Sequence, residues 1–246
     1  MTDDQRLIAG LQPVREAIRV HGRRLSRVVV DGRSLPRLDA LERFARDQQV
    51  PVVERRPKAE LDRIAGGTMH QGVLAWGPPL GLTAPESLLD DPTLAAIALD
   101  GIQDPQNFGA VIRSAVGVAS AAVVFGEHSA APLTPATFRA SAGAVEHARL
   151  CRPRSLSGFL RDAAAHGVTV VGLDAQATVS LSDVDLSGPT VVVVGNEHSG
   201  IGRGVRRACT VLARLIETER IDSLNASVAA AIALYELKKQ RVKSAS

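Results

Sequence analysis

Hydrophobic and polar positions change period repeatedly along the first third of the chain. Residues 7–20, LIAGLQPVREAIRV, place apolar side chains at helical intervals, with Pro13 near the start where a missing N–H costs little, and predict a helix. RVVVDG (27–32) is β-branched, ends in a turn and predicts a strand. LDALERFARDQQ (38–49) then reads as an amphipathic helix and VPVVE (50–54) as a second strand. KAELDRIAG (58–66) returns to helix and HQGVLAWG (70–77) to strand, so residues 1–76 predict a small alternating α/β unit. The Pro- and Gly-rich stretch GPPLGLTAPESLLDDP, residues 77–92, predicts a linker.

From residue 93 to 246 the alternation restarts with more strongly apolar strands: LAAIALDGI (94–102), AAVVFG (121–126), VTVVGLD (168–174) and PTVVVVG (189–195). Helical patterns lie between and after them, around 107–118, 134–142, 155–166 and 223–241. Near-continuous apolar strands separated by helices imply an α/β domain with a parallel sheet covered on both faces. In such sheets ligands bind at loops on the carboxyl ends of the strands.

Composition narrows the picture modestly. The 246 residues suit one large domain or two modest ones, and 45% hydrophobic with 22% charged residues supports a packed core. Aromatic residues are only 3%, which argues against base stacking on an aromatic platform as the main mode of binding. Residues 1–76 carry 14 Lys and Arg against 10 Asp and Glu, a net +4, whereas residues 77–246 carry 15 against 16. That excess fits an RNA or DNA contact surface or a solvated basic face equally well. Cys151 and Cys209 form no C-x-x-C pair or ligand cluster, so a disulfide framework and a metal site are not expected. Two free thiols suit a reducing cytoplasm. No apolar run approaches the ~20 residues of a membrane span, and the stretch MTDDQRLIAG lacks a signal-peptide layout.

Three strand ends concentrate polar residues. VVVVGNEHSGIGRGVRR (191–207) runs from a buried strand into glycines, but its G-x-G-x-G spacing departs from the G-x-G-x-x-G of dinucleotide folds. DGIQDPQNFGAVIRSA (100–115) holds a turn at Asp104 and Pro105, then Asn107 and Arg113 on a helix. IETERIDSLNASVAAAIALYE (216–236) sets Ser223 and Asn225 at the head of an alanine-rich helix. Taken singly, Asn107 and Ser223 could be helix caps, Arg113 a solvated helix charge and Glu197 a tether of its own loop.

As an ordered set, N-F-G-A-V-I-R (107–113), V-V-G-N-E-H-S-G-I (193–201) and S-L-N-A-S-V-A (223–229) resemble the three motifs of the SpoU/TrmH branch of the SPOUT methyltransferases. Residues 7–20 and HQGV (70–73) are similar to the L30e-like RNA-binding domain of the large-subunit rRNA guanosine methyltransferases of the RlmB type. The resemblance implies an N-terminal L30e-like domain and a trefoil-knotted parallel-sheet catalytic domain. It implies a homodimer that uses S-adenosylmethionine to methylate ribose 2′-hydroxyls of RNA. By the same resemblance Arg113 is the catalytic arginine, with Asn107, Glu197, Ser223 and Asn225 beside it, and Gly195, Ile216 and Leu224 contact the cofactor. The glycines of 195–204 would then shape a cofactor loop. One departure stands out: Ile216 to Ser223 is one residue shorter than the family pattern and lacks its proline and glycine. A tRNA or antibiotic-resistance rRNA methyltransferase, and a non-catalytic RNA-binding relative, remain alternatives.

Overall fold

The computed structural model describes residues 5–127, 133–196, 199–215 and 224–244. The chain divides into two units: residues 1–81 with 133–147, and residues 82–132 with 148–246.

In the first unit, β1 (Arg6–Ala9), β2 (Arg27–Asp31), β3 (Val53–Arg56) and β4 (Val73–Gly77) form a sheet of order β1-β4-β2-β3. Only the β2–β3 pair is parallel. Helices α1 (Leu11–His21), α2 (Pro36–Asp47) and α3 (Lys58–Ala65) cover it. Side chains of a strand alternate between faces, and the sheet follows that rule. Ile8, Val28, Val30, Val73 and Ala75 pack with α1 and α2, while Ala9, Val29 and Leu74 pack with Leu61 and Ala65 of α3.

Residues 133–147 belong to this same unit, with α6 (Pro135–Ala140) leading into a turn of 3₁₀ helix, Ala144–His147. Glu146 is fully buried there; Arg6 Nη1 donates to its Oε1 at 2.8 Å and His21 Nε2 lies 2.9 Å from its Oε2. Burial alone would push the Glu146 carboxyl up, but the hydrogen bonds from His21 and Arg6 hold it below its ordinary value. His147 pairs with Glu16, and the Arg6 guanidinium sits 5.4 Å above the Phe138 ring.

The described residues of the second unit hold seven strands in the order β7-β6-β5-β10-β8-β11-β9, every pair parallel. They are β5 (Ala95–Asp100), β6 (Ala122–Phe125), β7 (Leu150–Cys151), β8 (Thr169–Leu173), β9 (Val179–Ser180), β10 (Thr190–Gly195) and β11 (Val211–Arg214). On one face Ala96, Ala98, Val170, Val191 and Val193 pack with Leu156, Phe159, Leu160 and Ala163 of α7 (Leu156–Ala165) and with Leu88 of α4 (Pro85–Leu89). Val205 of α8 (Arg203–Arg206) joins the same cluster. Helices α5 (Pro105–Ser114) and α9 (Ala226–Ser244) pack together, and α9 also lies against β5 and β10. No helix among the described residues is long and apolar enough to cross a membrane.

The sequence expectations need four corrections. Residues 6–9 are a strand, because Gly10 at φ 104° breaks the run and the helix starts at Leu11. The strand expected at 50–54 lies at 53–56, since Pro51 lacks the N–H that a ladder needs. The stretch 77–92 contains α4, and Leu82 bridges Leu150. The short strands β7, β9 and β11 carried too few residues to stand out.

Candidate active site

β5 and β10 lie side by side, with Gly195 opposite Asp100 at their carboxyl ends. From β5 the chain builds outward through β6 to β7, whereas β8, β11 and β9 fill the sheet beyond β10. The β5–β10 edge is thus a point where strand order reverses, the favoured place for a ligand in an open parallel sheet.

The loops at this edge are bonded to one another. Gly202 N donates to Asp100 Oδ2 at 2.7 Å, and Asn196 Nδ2 donates to the Gly101 carbonyl at 2.9 Å. Asn196 and Gly200 exchange backbone hydrogen bonds of 3.0 and 2.8 Å, which folds the loop after β10 back on itself. This explains Gly195: a Cβ there would stand 2.2 Å from the Gly200 carbonyl carbon and 2.3 Å from Ile201 N. The glycine is required by the close approach of its own loop.

The loop after β5 turns into α5 through Asp104, whose carboxylate accepts from Gln106 N and Asn107 N while Pro105 occupies the first helical position. Asp104, rather than Asn107, is therefore the cap, and Asn107 is left to act elsewhere. Its Oδ1 accepts from Asn225 Nδ2 at 3.1 Å. Asn225 in turn caps α9: its Oδ1 accepts from Ser227 N, Val228 N and Ser227 Oγ. Because the oxygen must face those N–H groups, the amide nitrogen is the atom that reaches Asn107. One side chain thus starts a helix and ties it to its neighbour.

Arg113 is exposed in the last turn of α5, and its side chain makes no hydrogen bond or ion pair among the described residues. Six residues of helix place it ~9 Å beyond Asn107 and about 120° around the axis. The structure therefore joins Asn107 to Asn225 directly and leaves Arg113 apart from that pair. Beyond it the helix widens into a π turn, Ala115–Ala119, against which α9 packs; such turns concentrate at functional sites. Leu224 is half-buried just ahead of the Asn225 cap, and Gly195 is half-buried at the strand end. Glu197, Ile216 and Ser223 lie outside the described residues.

The sequence assigns no role to Asp100 or Asn196, and reads Asp104 as a turn residue without its capping role. The Asp-Pro step was a readable cap signal, whereas the partners of Asp100 and Asn196 lie 102 and 95 residues away. Cys151 and Cys209 are free thiols, and burial pushes both up to about 11.

Comparison with known proteins gives the same outline. A family model described as the SpoU rRNA Methylase family matches residues 95–235, and one described as RNA 2′-O ribose methyltransferase substrate binding matches residues 7–80. A relative from Mycobacterium ulcerans (strain Agy99), described as an uncharacterized tRNA/rRNA methyltransferase, is 36% identical over 245 residues, which covers 98% of this chain and 79% of the relative. A crystal structure of an RNA 2′-O ribose methyltransferase superposes with a TM-score of 0.79 at 25% identity, covering 98% of this chain and 90% of that one. An AdoMet-bound rRNA methyltransferase from Sinorhizobium meliloti shares the fold at TM-score 0.78 and 24% identity, over 96% of this chain and 87% of that one. With more than half of its length matched by the methylase model, the chain belongs to the SpoU rRNA methylase family.

Proposed function

We propose that this protein methylates a ribose 2′-hydroxyl of RNA with S-adenosylmethionine as donor, and that the favoured target is a guanosine of 23S rRNA. The observation that carries this reading is the bonded set of loops at the β5–β10 edge, tied through Asn107 and Asn225 to the heads of α5 and α9. The three motif-bearing segments, far apart in sequence, meet in one place.

The residues fit the cofactor in kind. The β10 end offers backbone groups without a side chain at Gly195, and Leu224 supplies apolar surface at the head of α9. Such walls with a few backbone donors and acceptors suit an adenosine. The space behind Gly195 is filled by Gly200 and Ile201, so contact there would be with backbone. Gly195 and Leu224, together with Ile216, would hold the cofactor, which supplies an electrophilic methyl on a sulfonium.

The reaction forms a ribose O–CH₃ bond, breaks the S–CH₃ bond and releases the hydroxyl proton to solvent. Alignment of oxygen and methyl in one enzyme-held geometry can contribute up to ~7–11 kcal/mol. A guanidinium keeps its proton, so Arg113 serves as an electrostatic partner, gripping the adjacent phosphate and stabilising the forming alkoxide. Its exposure and lack of partners among the described residues suit a group reserved for substrate. Asn107 and Asn225, with Glu197 and Ser223, would orient the ribose.

Two architectural readings accompany this one. The placement of β10 between β5 and β8, with α9 returning from β11 to pack on α5, supports a trefoil knot. Val228, Ile232, Tyr235 and Val242 form an exposed apolar stripe on α9, which supports a homodimer through that helix. The free thiols agree with a cytoplasmic setting.

The test is incubation of the protein with methyl-labelled S-adenosylmethionine and, separately, rRNA and tRNA, followed by nucleoside mass spectrometry. Label in 2′-O-methylguanosine from 23S rRNA is the expected result. Label in tRNA would move the target, as the name of the mycobacterial relative allows. No transfer, with no cofactor binding by calorimetry, would overturn the enzymatic reading.

A further inference from the structure

The first unit contains a cleft of about 450 Å³ at the carboxyl end of β2, between Asp31, the start of α3 and the loop of residues 66–72. Its volume lies in the ~300–1,000 Å³ range of small-ligand sites. The HQGV motif builds one wall. His70 is buried; its Nδ1 accepts from Gly72 N at 3.1 Å, so the ring proton sits on Nε2 and is donated to Asp62 at 2.8 Å. Gln71 Oε1 accepts from Leu11 N, fastening the loop to the head of α1. Gly72, at φ 88°, packs so tightly on Leu38 that a Cβ would stand 3.0 Å from it. Gly66, Gly67 and Gln71 also have positive φ, so four of these seven residues adopt left-handed backbone. The motif thus fixes a loop that carries Met69 outward, 63% exposed.

Cations face the same cleft. Arg33 uses Nε and Nη2 on the buried Asp31, and Lys58 pairs with Asp62, which leaves these pairs internally neutral. Arg37 lines the cleft and is exposed, with no hydrogen bond or ion pair among the described residues. A cation and a polarisable thioether lining one cleft match the two ends of a nucleotide, phosphate and base.

We infer that this cleft binds one unpaired nucleotide of the substrate RNA, with its base against Met69 and its phosphate on Arg37. The inference rests on the RNA reading given above and locates the contact in the first unit. A preset loop has little ordering entropy to lose when it binds, which favours capture of a single flexible nucleotide.

The test uses the full-length protein and a short single-stranded oligoribonucleotide containing 4-thiouridine, without any methylation readout. Photo-crosslinking should attach the probe to the peptide that contains Met69. Arg37→Glu should weaken binding about tenfold and reduce the slope of log affinity against log salt by about 0.7, one single-strand phosphate contact. Met69→Ala should weaken binding several-fold with the salt slope unchanged. Both side chains are exposed, and unaltered S-adenosylmethionine affinity would verify that the variants are folded. Crosslinks away from residues 66–72, or wild-type affinity in Met69→Ala, would overturn the base site while leaving RNA as substrate. A wild-type protein that binds no RNA would overturn both.

Discussion

Arg113 and Asn225 stand on adjacent helices, and their replacement should fail in different ways. Arg113→Ala should lower single-turnover methylation about 10²–10³-fold, the usual loss on removing one transition-state contact, with cofactor affinity unchanged. Arg113→Lys should recover little, because an ammonium cannot reproduce a two-pronged grip on phosphate. Wild-type rates in Arg113→Ala would return the residue to an ordinary solvated helix charge. Asn225→Ala removes a helix cap and should cost about 1 kcal/mol in urea unfolding. Asn225→Asp keeps an acceptor for Ser227 N but loses the amide donor to Asn107. It should therefore hold its stability and lose methylation; equal loss of both would make the Asn107 contact merely structural. The sequence places Asn225 at a helix head and Arg113 on a helix without revealing this division of labour. Asn107 reads as a cap from its position alone, and only the structure shows that Asp104 meets the free N–H groups of α5.

The helix α9 turns an alanine-rich face inward and an apolar stripe outward. Ala226, Ala230, Ala233, Leu234 and Leu237 are buried, while Ile232 and Tyr235 remain 44% and 63% exposed. If the stripe seats a second copy, the Ile232→Asp, Tyr235→Arg double variant should sediment as a monomer where the wild type is a dimer. A monomeric wild type at micromolar concentration would refute the pairing. Long elements such as α7 and β10 were legible because their period holds over several turns or over an unbroken valine run. The strand β1 was not, since Leu7, Ile8 and Ala9 continue smoothly into the apolar positions of α1. Only a backbone conformation at Gly10 separates the two. Two-residue strands such as β7 and β9 owe their existence to neighbours in the sheet and leave no periodic trace.

A local turn and one distant arginine set how Asp91 responds to acid. Asp91 accepts from Thr93 N, Thr93 Oγ1 and Arg149, and these hydrogen bonds bring its carboxyl down to about 2. An unfolded aspartate titrates near ~3.9. Its folded value is the lower one, so its contribution is complete above pH ~4 and fades as pH falls toward 2. Asp91→Asn should therefore lose less stability than the wild type between pH ~4 and pH ~2 in denaturant titrations; parallel curves would refute the role. Partners of this kind cannot be read from local pattern: Arg6 and Glu146 are 140 positions apart. Their bond has a consequence for how the protein can be taken apart and recombined. The chain crosses between its two units at residues 81–82, 132–133 and 147–148, so the first unit is assembled from two separate stretches. Cutting near Thr83 would leave Glu146, Phe138 and Val145 without the partners that cover them. A chimera given residues 1–81 from another family member would meet a foreign 133–147, whereas grafting both stretches together moves the first unit as one piece.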